Sequence, residues 1–576
     1  MSKQNKVLAG ILAGTLAVAG VVLLNTGSQT ETAVKHYPIK NMLGVNVHQW
    51  DIWYYDFPPY TGSYDAKYKA LMDLHPSSIR IYIDADGAQD PNGNYAFNPS
   101  YKGGFKPEDA AKRIKAEHPD IFIQACYHRQ TISINKDWAA DGVWYSQLNF
   151  PYKFNNDSDR LKSSSYSNMG HDLAVMTIRG GRNKNGFDYP VYTDPNALWQ
   201  NNSIVKGGNF YDAVEGGNEW NGWWGNKNTN LNSQELAASW KPMYDSVKAA
   251  DTSMLFTNGG IAYDKADTFL KAIKWWTDHG FKPPVDYFSY HSYPSAYGQY
   301  NFGAAGGMNP EEVLYKRAKD MVEAVGNIKP VVIGEWGYDT YYKSIQNAPA
   351  FSSYNAEQTR AWWASRAVLK FDQAGIWRAQ WYRAYQDLPN AQSDTNETQF
   401  SQMALLRQYD NGGTVIKRTL VGDCFKQIND LFGDFVFDSV LRDDSLQVLQ
   451  FRNGTKKLIA GWAVESFKWV NNRPVFTERK FDYTFNFSGT RYDLNEDSSG
   501  VMKSQPFTAG KVQLTTKPFF ILVGDPVTPP PPAPTLFLTL HVYSDKTVST
   551  AKAINSKKIL ITNIRVFSDG TTESFK

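Results

Sequence analysis

A (β/α)8 (TIM) barrel followed by an antiparallel β-sandwich and a small C-terminal β module is the fold this 576-residue sequence predicts. Three observations carry the prediction. From residue 41 to about residue 400, short apolar runs alternate with longer segments of helical period, the pattern of an α/β fold with parallel strands. The strand-like runs number eight, the count that closes a barrel. After about residue 430 the helical period disappears and short strand-like runs follow one another.

The elements are read in order. Lys3 and Lys6 precede an uncharged stretch from Val7 to Leu24, a secretory n-region and h-region. Residues 1–28 are therefore a signal peptide or an N-terminal membrane anchor. The stretch is long for the former and barely long enough for the latter. Either way, export is expected, as a secreted, periplasmic or cell-surface protein. No cysteine follows the stretch, so a lipoprotein anchor is not supported.

The barrel is assigned to residues 36–430. Its strands are read at Met42–Val47, Ser78–Ile83, Ile121–Ala125, a run ending at Glu219, Met254–Thr257, Val285–Tyr290, a run ending at Glu335, and Ile376–Trp381. Helix ends are legible between them. Asn309 with Pro310 and Glu312 opens one helix that Gly326 ends. Asn355 with Gln358 opens another that stops at Gly375. Asn232 with Glu235 opens a third, which Pro242 should kink. About 85 residues separate Tyr127 from Tyr211, with one helical pattern from Tyr166 to Ile178. A loop of that length on a barrel's upper face shapes a substrate cleft.

The sandwich is assigned to residues 431–525, with strands at Phe435–Asp438, Leu446–Phe451, Lys457–Trp462, Phe481–Phe485 and Pro518–Val523. Residues 30–40 are candidates for an added strand. A polyproline linker follows at 526–534. The last segment, 535–576, contains a weak repeat of period 24, Leu540–Thr547 and Ile564–Thr571, and reads as two hairpins.

Composition excludes several functions. A net charge of +3 indicates neither nucleic acid nor a polyanion as partner. Two cysteines, Cys126 and Cys424, cannot build a disulfide framework, and no Cys/His cluster has zinc spacing. Cys126, within an apolar run, reads as a small buried hydrophobe. No Gly-rich phosphate loop follows strand seven or eight. The 18 Trp, 34 Tyr and 32 Phe serve either a large core or sugar-stacking surfaces.

The chemistry is carried by two carboxylates. Glu219, in Asn218-Glu219-Trp220 after Gly216 and Gly217, and Glu335, between Gly334 and Trp336-Gly337, each end a buried strand. Side chains there stand at the barrel rim, and two carboxylates on one rim can cleave a glycosidic bond. The neighbouring glycines are expected to admit a substrate closely. Trp220, Trp223, Trp224 and Trp336 are expected to stack on it.

The pattern resembles a clan A glycoside hydrolase, with a layout similar to families 5, 30 and 39, over roughly residues 41–400. The resemblance implies Glu219 as acid/base and Glu335 as nucleophile. It implies that Arg80 on strand two supports the nucleophile, that Tyr293 of His291-Ser-Tyr293 hydrogen-bonds it, and that His291 lies near the acid/base. Asn218 would bind the sugar 2-hydroxyl, and Trp381 would bring the strand-eight aromatic to the sugar. A sugar-binding His128 would fit family 5; a loop histidine is the other reading. Asn46, His48 and Trp50 are further candidates for lining the cleft. The reaction requires no metal or cofactor. The expected activity is retaining hydrolysis of a β-linked poly- or oligosaccharide. The alternatives are a non-catalytic carbohydrate-binding protein or a surface-anchored adhesin on the same barrel.

Overall fold

The computed structural model describes residues 34–48, 63–84, 107–128, 167–183, 207–220, 231–262, 266–294, 309–341, 344, 346–385, 402–409, 414–470 and 473–524, and strands within 536–575. The N-terminal segment with residues 7–24, and most of the loop after strand three, lie outside the described residues. Among the described residues no helix is long and apolar enough to cross a membrane.

Eight parallel strands close a barrel in sequence order: β1 (Gly44–Val47), β2 (Ser78–Asp84), β3 (Phe122–His128), β4 (Ala213–Asn218), β5 (Leu255–Ala262), β6 (Phe288–His291), β7 (Val331–Trp336) and β8 (Arg378–Trp381). Each is followed by a helix: α1 (Ser63–Asp73), α2 (Pro107–Glu117), α3 (Ser167–Gly180), α4 (Ser233–Ala250), α5 (Ala266–Asp278), α6 (Pro310–Val325), α7 (Ala356–Ala374) and α8 (Leu420–Phe432). A short hairpin that the sequence reading missed, β9 (Leu406–Gln408) with β10 (Ile416–Arg418), precedes α8.

Register separates two kinds of residue. Val45, Ile79 and Ile123 stand side by side and join the apolar core with the surrounding helices. Asn46, Arg80 and Gln124 form the next row. Arg80 reaches Glu335 on the far side of the barrel, so that row faces inward. The period-2 alternation of a strand thus puts Arg80 and Tyr82 inside while Ile79, Ile81 and Ile83 seal the outer shell.

Two of the three helix starts form as expected. Asn232 with Glu235 and Asn355 with Gln358 make reciprocal capping boxes, and Gly375 ends α7 in the left-handed conformation, φ 84°. At Asn309 the box does not form. Its amide donates instead to the Glu465 carbonyl at 3.1 Å, a tertiary contact replacing a local one. Gly326 is right-handed, φ −66°. Helix α4 continues through Pro242, whose carbonyl lies under Gly170 of α3; a Cβ at Gly170 would meet it at 2.6 Å.

The sandwich has a six-stranded sheet in the order β11 (Val436–Asp443), β12 (Leu446–Asn453), β13 (Lys456–Ala463), β20 (Phe519–Val523), β17 (Gly489–Asp493), β18 (Lys503–Phe507). One face packs on the barrel, where Phe520 and Tyr492 meet Phe432 of α8 at 5.1 and 5.4 Å. The other face carries a small core with the pair β16 (Phe481–Phe485) and β19 (Gly510–Leu514). A further hairpin, β14 (Ser466–Val470) and β15 (Arg473–Thr477), reaches the loop after β7, where Phe476 packs on Phe351 and Trp363. Residues 34–40 contribute one bridge, Pro38 to Val436, rather than a strand.

The C-terminal segment forms one four-stranded sheet, β22 (Val548–Ser549), β21 (Leu536–Tyr543), β23 (Leu560–Phe567), β24 (Thr572–Phe575), instead of two separate hairpins. The two halves of the sequence repeat pair with each other: Leu540 stands opposite Ile564.

Candidate active site

At the C-terminal rim of the barrel, Glu219 follows β4 and Glu335 sits near the end of β7. Oxygens of the two carboxylates and a ring nitrogen of His291 all lie within 4.8 Å of one another. The Glu335 side chain is 7% exposed and that of Glu219 14%, so both are shielded yet still open on one side. Glu219 has a left-handed backbone, φ 50°, directly after Gly217 at φ 96° and Asn218. A left-handed non-glycine residue costs about 1–3 kcal/mol and persists only where its surroundings fix it. Here the Glu219 N–H donates to the Gly260 carbonyl at 2.7 Å.

Glu335 receives donors on both oxygens. Oε1 accepts from Arg80 Nη1 at 3.1 Å and from the Tyr82 hydroxyl; Oε2 accepts from the Tyr293 hydroxyl at 2.8 Å. Burial first, and then the charge of Glu335, push Tyr293 well above the usual phenol range. Burial does the same to Tyr82, against the pull of Arg80. Both phenols therefore remain protonated and can only donate to the carboxylate.

His291 Nδ1 lies 2.8 Å from Glu219 Oε1 and 3.4 Å from Glu335 Oε1. Burial lowers the imidazole to about 4, although the charge of Glu335 opposes this, so the ring is neutral at pH 7. Nε2 has no hydrogen-bonding partner among the described residues and lies against Gly260, where a Cβ would come within 1.9 Å of it. The tautomer that leaves no buried N–H orphaned carries its proton on Nδ1, facing the two carboxylates.

Beneath the pair lies a charged floor. Arg80, fully buried, forks onto Glu215 through Nε (2.5 Å) and Nη2 (3.1 Å). It also reaches Asn46 Oδ1 at 3.0 Å and Asn218 Oδ1 at 2.8 Å. Burial alone would push Glu215 up; the charge and hydrogen bonds of Arg80 outweigh that and hold it below the ordinary carboxyl value. Cys126 faces this interior, its Sγ 3.2 Å from Arg80 Nη2, rather than an apolar core.

Several expected roles change with side-chain direction. Trp336 follows the inward Glu335 and so points outward, fully buried against Phe371 and Phe425. Trp381 pairs with it at 4.9 Å, and its indole donates to the Met403 carbonyl at 2.7 Å. Both lie in the shell between the strands and helices α7 and α8, so neither presents a face to the mouth. The strand-eight aromatic beside the site is the next residue, half-buried Tyr382, whose hydroxyl is 2.9 Å from His48 Nε2. His48 stacks on Tyr82 at 4.4 Å. Asn46 is part of the floor, its amide donating to the Gly334 carbonyl at 2.9 Å.

The glycines near the carboxylates serve internal packing. A Cβ at Gly216 would meet Met243 at 2.7 Å, one at Gly217 would meet Trp220 at 2.1 Å, and one at Gly334 would meet Ser289 at 2.7 Å. Trp220 is correspondingly buried. His128 ends β3, but its side chain lies outside the described residues, as do Trp50, Trp223 and Trp224. Tyr82, Glu215 and Tyr382 are the residues that sequence reasoning missed. The signal for Tyr82 and Glu215 was parity: Tyr82 is two positions from Arg80, and Glu215 is four from Glu219.

Glu219, His291 and Glu335 form the one cluster of metal-ligand type among the described residues. Arg80, Tyr82 and Tyr293 already direct their hydrogens at Glu335, supplying the positive potential there and taking the lone pairs a cation would use.

No family model matches the chain, and no curated protein matches its sequence. Its structure is similar to that of a family 39 glycoside hydrolase from the gut symbiont Bacteroides cellulosilyticus WH2, with a TM-score of 0.51 at 15% identity, over 84% of this chain and 82% of that one. An α-L-arabinofuranosidase from Thermotoga maritima scores 0.49 at 12% identity, over 84% and 96%. The first likeness shows a shared fold, the closed eight-stranded parallel barrel.

Proposed function

We propose that this chain is a retaining β-glycoside hydrolase that cleaves a β-linked poly- or oligosaccharide through a glycosyl-enzyme intermediate. The observation that carries the reading is the spacing of Glu219 and Glu335, whose nearest oxygens lie within 4.8 Å. Retaining pairs stand about 5–5.5 Å apart, whereas inverting pairs need roughly 6.5–9.5 Å to admit a water between them.

In this reading Glu335 is the nucleophile. Its oxygen attacks the anomeric carbon while Glu219 gives its proton to the departing glycosidic oxygen. Arg80, Tyr82 and Tyr293 fix the attacking carboxylate in one orientation, which lowers the entropy cost of reaching the transition state. Glu219 then takes a proton from water as the water oxygen attacks the same carbon, releasing the sugar and restoring both carboxyls. His291, neutral, donates from Nδ1 to Glu219 in its ionised state. Asn218 accepts from Arg80 through Oδ1, so its amide N–H₂ is left to donate to the sugar 2-hydroxyl.

Product release from a panel of β-linked polysaccharides and aryl glycosides tests this reading, with wild type and Glu335→Ala compared. Release with retained anomeric configuration, lost in the variant, is expected. Binding without release would support the non-catalytic carbohydrate-binding reading instead. Export is proposed from residues 7–24 alone; the N-terminal sequence of the mature protein checks it.

A further inference from the structure

We propose that Glu215, which lies below the reacting groups and touches no substrate, is a positioning residue that sets both catalytic carboxylates at once. The proposal rests on the hydrolase reading of Glu219 and Glu335.

A fully buried carboxylate is tolerated only with its lone pairs satisfied. Glu215 accepts four donors, each from a strand other than its own. Oε2 takes Arg80 Nε (2.5 Å) and Gln124 Nε2 (2.6 Å); Oε1 takes Arg80 Nη2 (3.1 Å) and the Gly260 N–H (2.6 Å). Two branches leave this point. In the first, the planar guanidinium is pinned at Nε and Nη2, which fixes where Nη1 points. Nη1 points at Glu335 Oε1, 3.1 Å away, and Nη2 also holds Asn218. In the second, Glu215 holds the Gly260 amide. The Gly260 carbonyl holds the Glu219 N–H in its left-handed conformation. The α-carbon of Gly260 also backs His291, whose Nδ1 meets Glu219. One carboxylate thus anchors the support of the nucleophile and the support of the acid/base.

The charged and titratable groups that face it are Arg80 from β2, Cys126 from β3, and Tyr287 and His291 on or beside β6; Arg80 links it to Glu335 and His291 lies between it and Glu219. Only Arg80 among them is cationic at pH 7, and it is shared between Glu215 and Glu335. A mere neutraliser of Arg80 would not also need the Gly260 branch, and the two roles differ in what their loss does.

Glu215→Gln is isosteric but cannot accept four donors, so at least one buried donor is orphaned and the fork loosens. The expected result is a fall in kcat of about 10²-fold with KM within about two-fold, the loss typical of ångström-scale misplacement. Both limbs of the pH profile of kcat/KM should move to lower pH, because the Arg80 charge next to Glu335 is no longer shared with an anionic Glu215. Glu215→Asp keeps the charge and shortens the reach. It should lower kcat with both limbs unmoved, and it carries the test if the Gln variant does not fold. Full kcat in a folded variant of either kind overturns the proposal. Wild type without turnover on any glycoside counts against the hydrolase reading alone. A crystal structure of Glu215→Asp then decides the positioning role. Arg80 leaving Glu335, with Glu219 relaxing from positive φ, supports it; an unchanged arrangement overturns it.

Discussion

Two arginines in this molecule are each fully buried between two glutamates, and their surroundings differ in an instructive way. Arg80 lies between Glu215 and Glu335 in the barrel. Arg366, on α7, lies between Glu311 of α6, at 2.7 Å, and Glu465 of the sandwich, at 2.9 Å. At the seam every group is fully buried. Carbonyls of Ala463 and Thr516 accept from Arg366 Nη1 and the Trp363 indole donates to Glu465, while Arg366 Nε has no hydrogen-bonding partner among the described residues. In the barrel, Glu335 is partly exposed and has a second carboxylate, a neutral histidine and two phenols around it. A buried ion triad alone marks a joint between elements. It becomes a candidate site when one carboxylate is open to solvent on one side, a second stands within about 5 Å, and the surroundings hold that second group in a strained backbone conformation.

The largest difference between the two triads should be seen on removing Glu335. Glu335→Ala is expected to lose turnover by on the order of 10⁴–10⁶-fold, as when the nucleophile of a covalent mechanism is deleted. Thermal unfolding should change little. Turnover of the variant near the wild-type level would place the chemistry elsewhere.

Glu219→Gln sharpens the contrast between the carboxylates themselves. Its loss should be about 10²–10⁴-fold on natural glycosides, the usual worth of a general acid. On aryl glycosides whose leaving group needs no proton, glycosylation should be nearly unimpaired. Equal losses on both substrate kinds would contradict the acid role.

Arg366→Met should behave in the opposite way. It leaves two buried carboxylates without their cation, at a cost of about 3–5 kcal/mol. Scanning calorimetry should show a lower unfolding temperature while kcat at 25 °C stays within about two-fold. A kcat loss comparable to that of Glu219→Gln would mean that the seam governs the site.

The smallest expected effect is a pH dependence. Burial pushes Glu311 up to about 7, against the pull of Arg366, with Glu465 and Glu312 reinforcing the rise. From the ordinary carboxyl value of 4.5 to about 7, the folded state holds a proton that the unfolded chain has released. Stability from this group therefore falls as pH rises through that window. Glu311→Gln should unfold with a flatter pH dependence between pH 5 and 8. Parallel wild-type and variant curves would show that Glu311 does not titrate there.

The barrel was legible in sequence because each strand is a short apolar run and the intervening helices carry caps and period. Glu219, Glu335, Arg80, His291 and Tyr293 were legible as a set, in the order and on the strands a known clan uses. What escaped was side-chain parity. Ile79-Arg80-Ile81-Tyr82-Ile83 already alternates, so a charged Arg80 on the inner face implied an inner Tyr82. The same reading turns Trp336 and Trp381 outward, one residue out of phase with Glu335 and Tyr382. Of the sandwich strands that were missed, Ser466–Val470 and Lys503–Phe507 are exposed on both faces, whereas Gly489–Asp493 is largely buried but has the polar sequence Gly-Thr-Arg-Tyr-Asp, which carries no apolar alternation. The glycines were misjudged because a sequence shows that a side chain is absent but not what occupies its place.

The most direct measurement is covalent trapping. Wild-type protein would be treated with a 2-deoxy-2-fluoro aryl glycoside of whichever sugar it releases, denatured, and digested for mass spectrometry. A mass gain of one fluoroglycosyl unit on the peptide containing Glu335, absent from Glu335→Ala, is the expected result. An adduct on another residue, or a product of inverted anomeric configuration, would contradict a retaining mechanism with Glu335 as nucleophile.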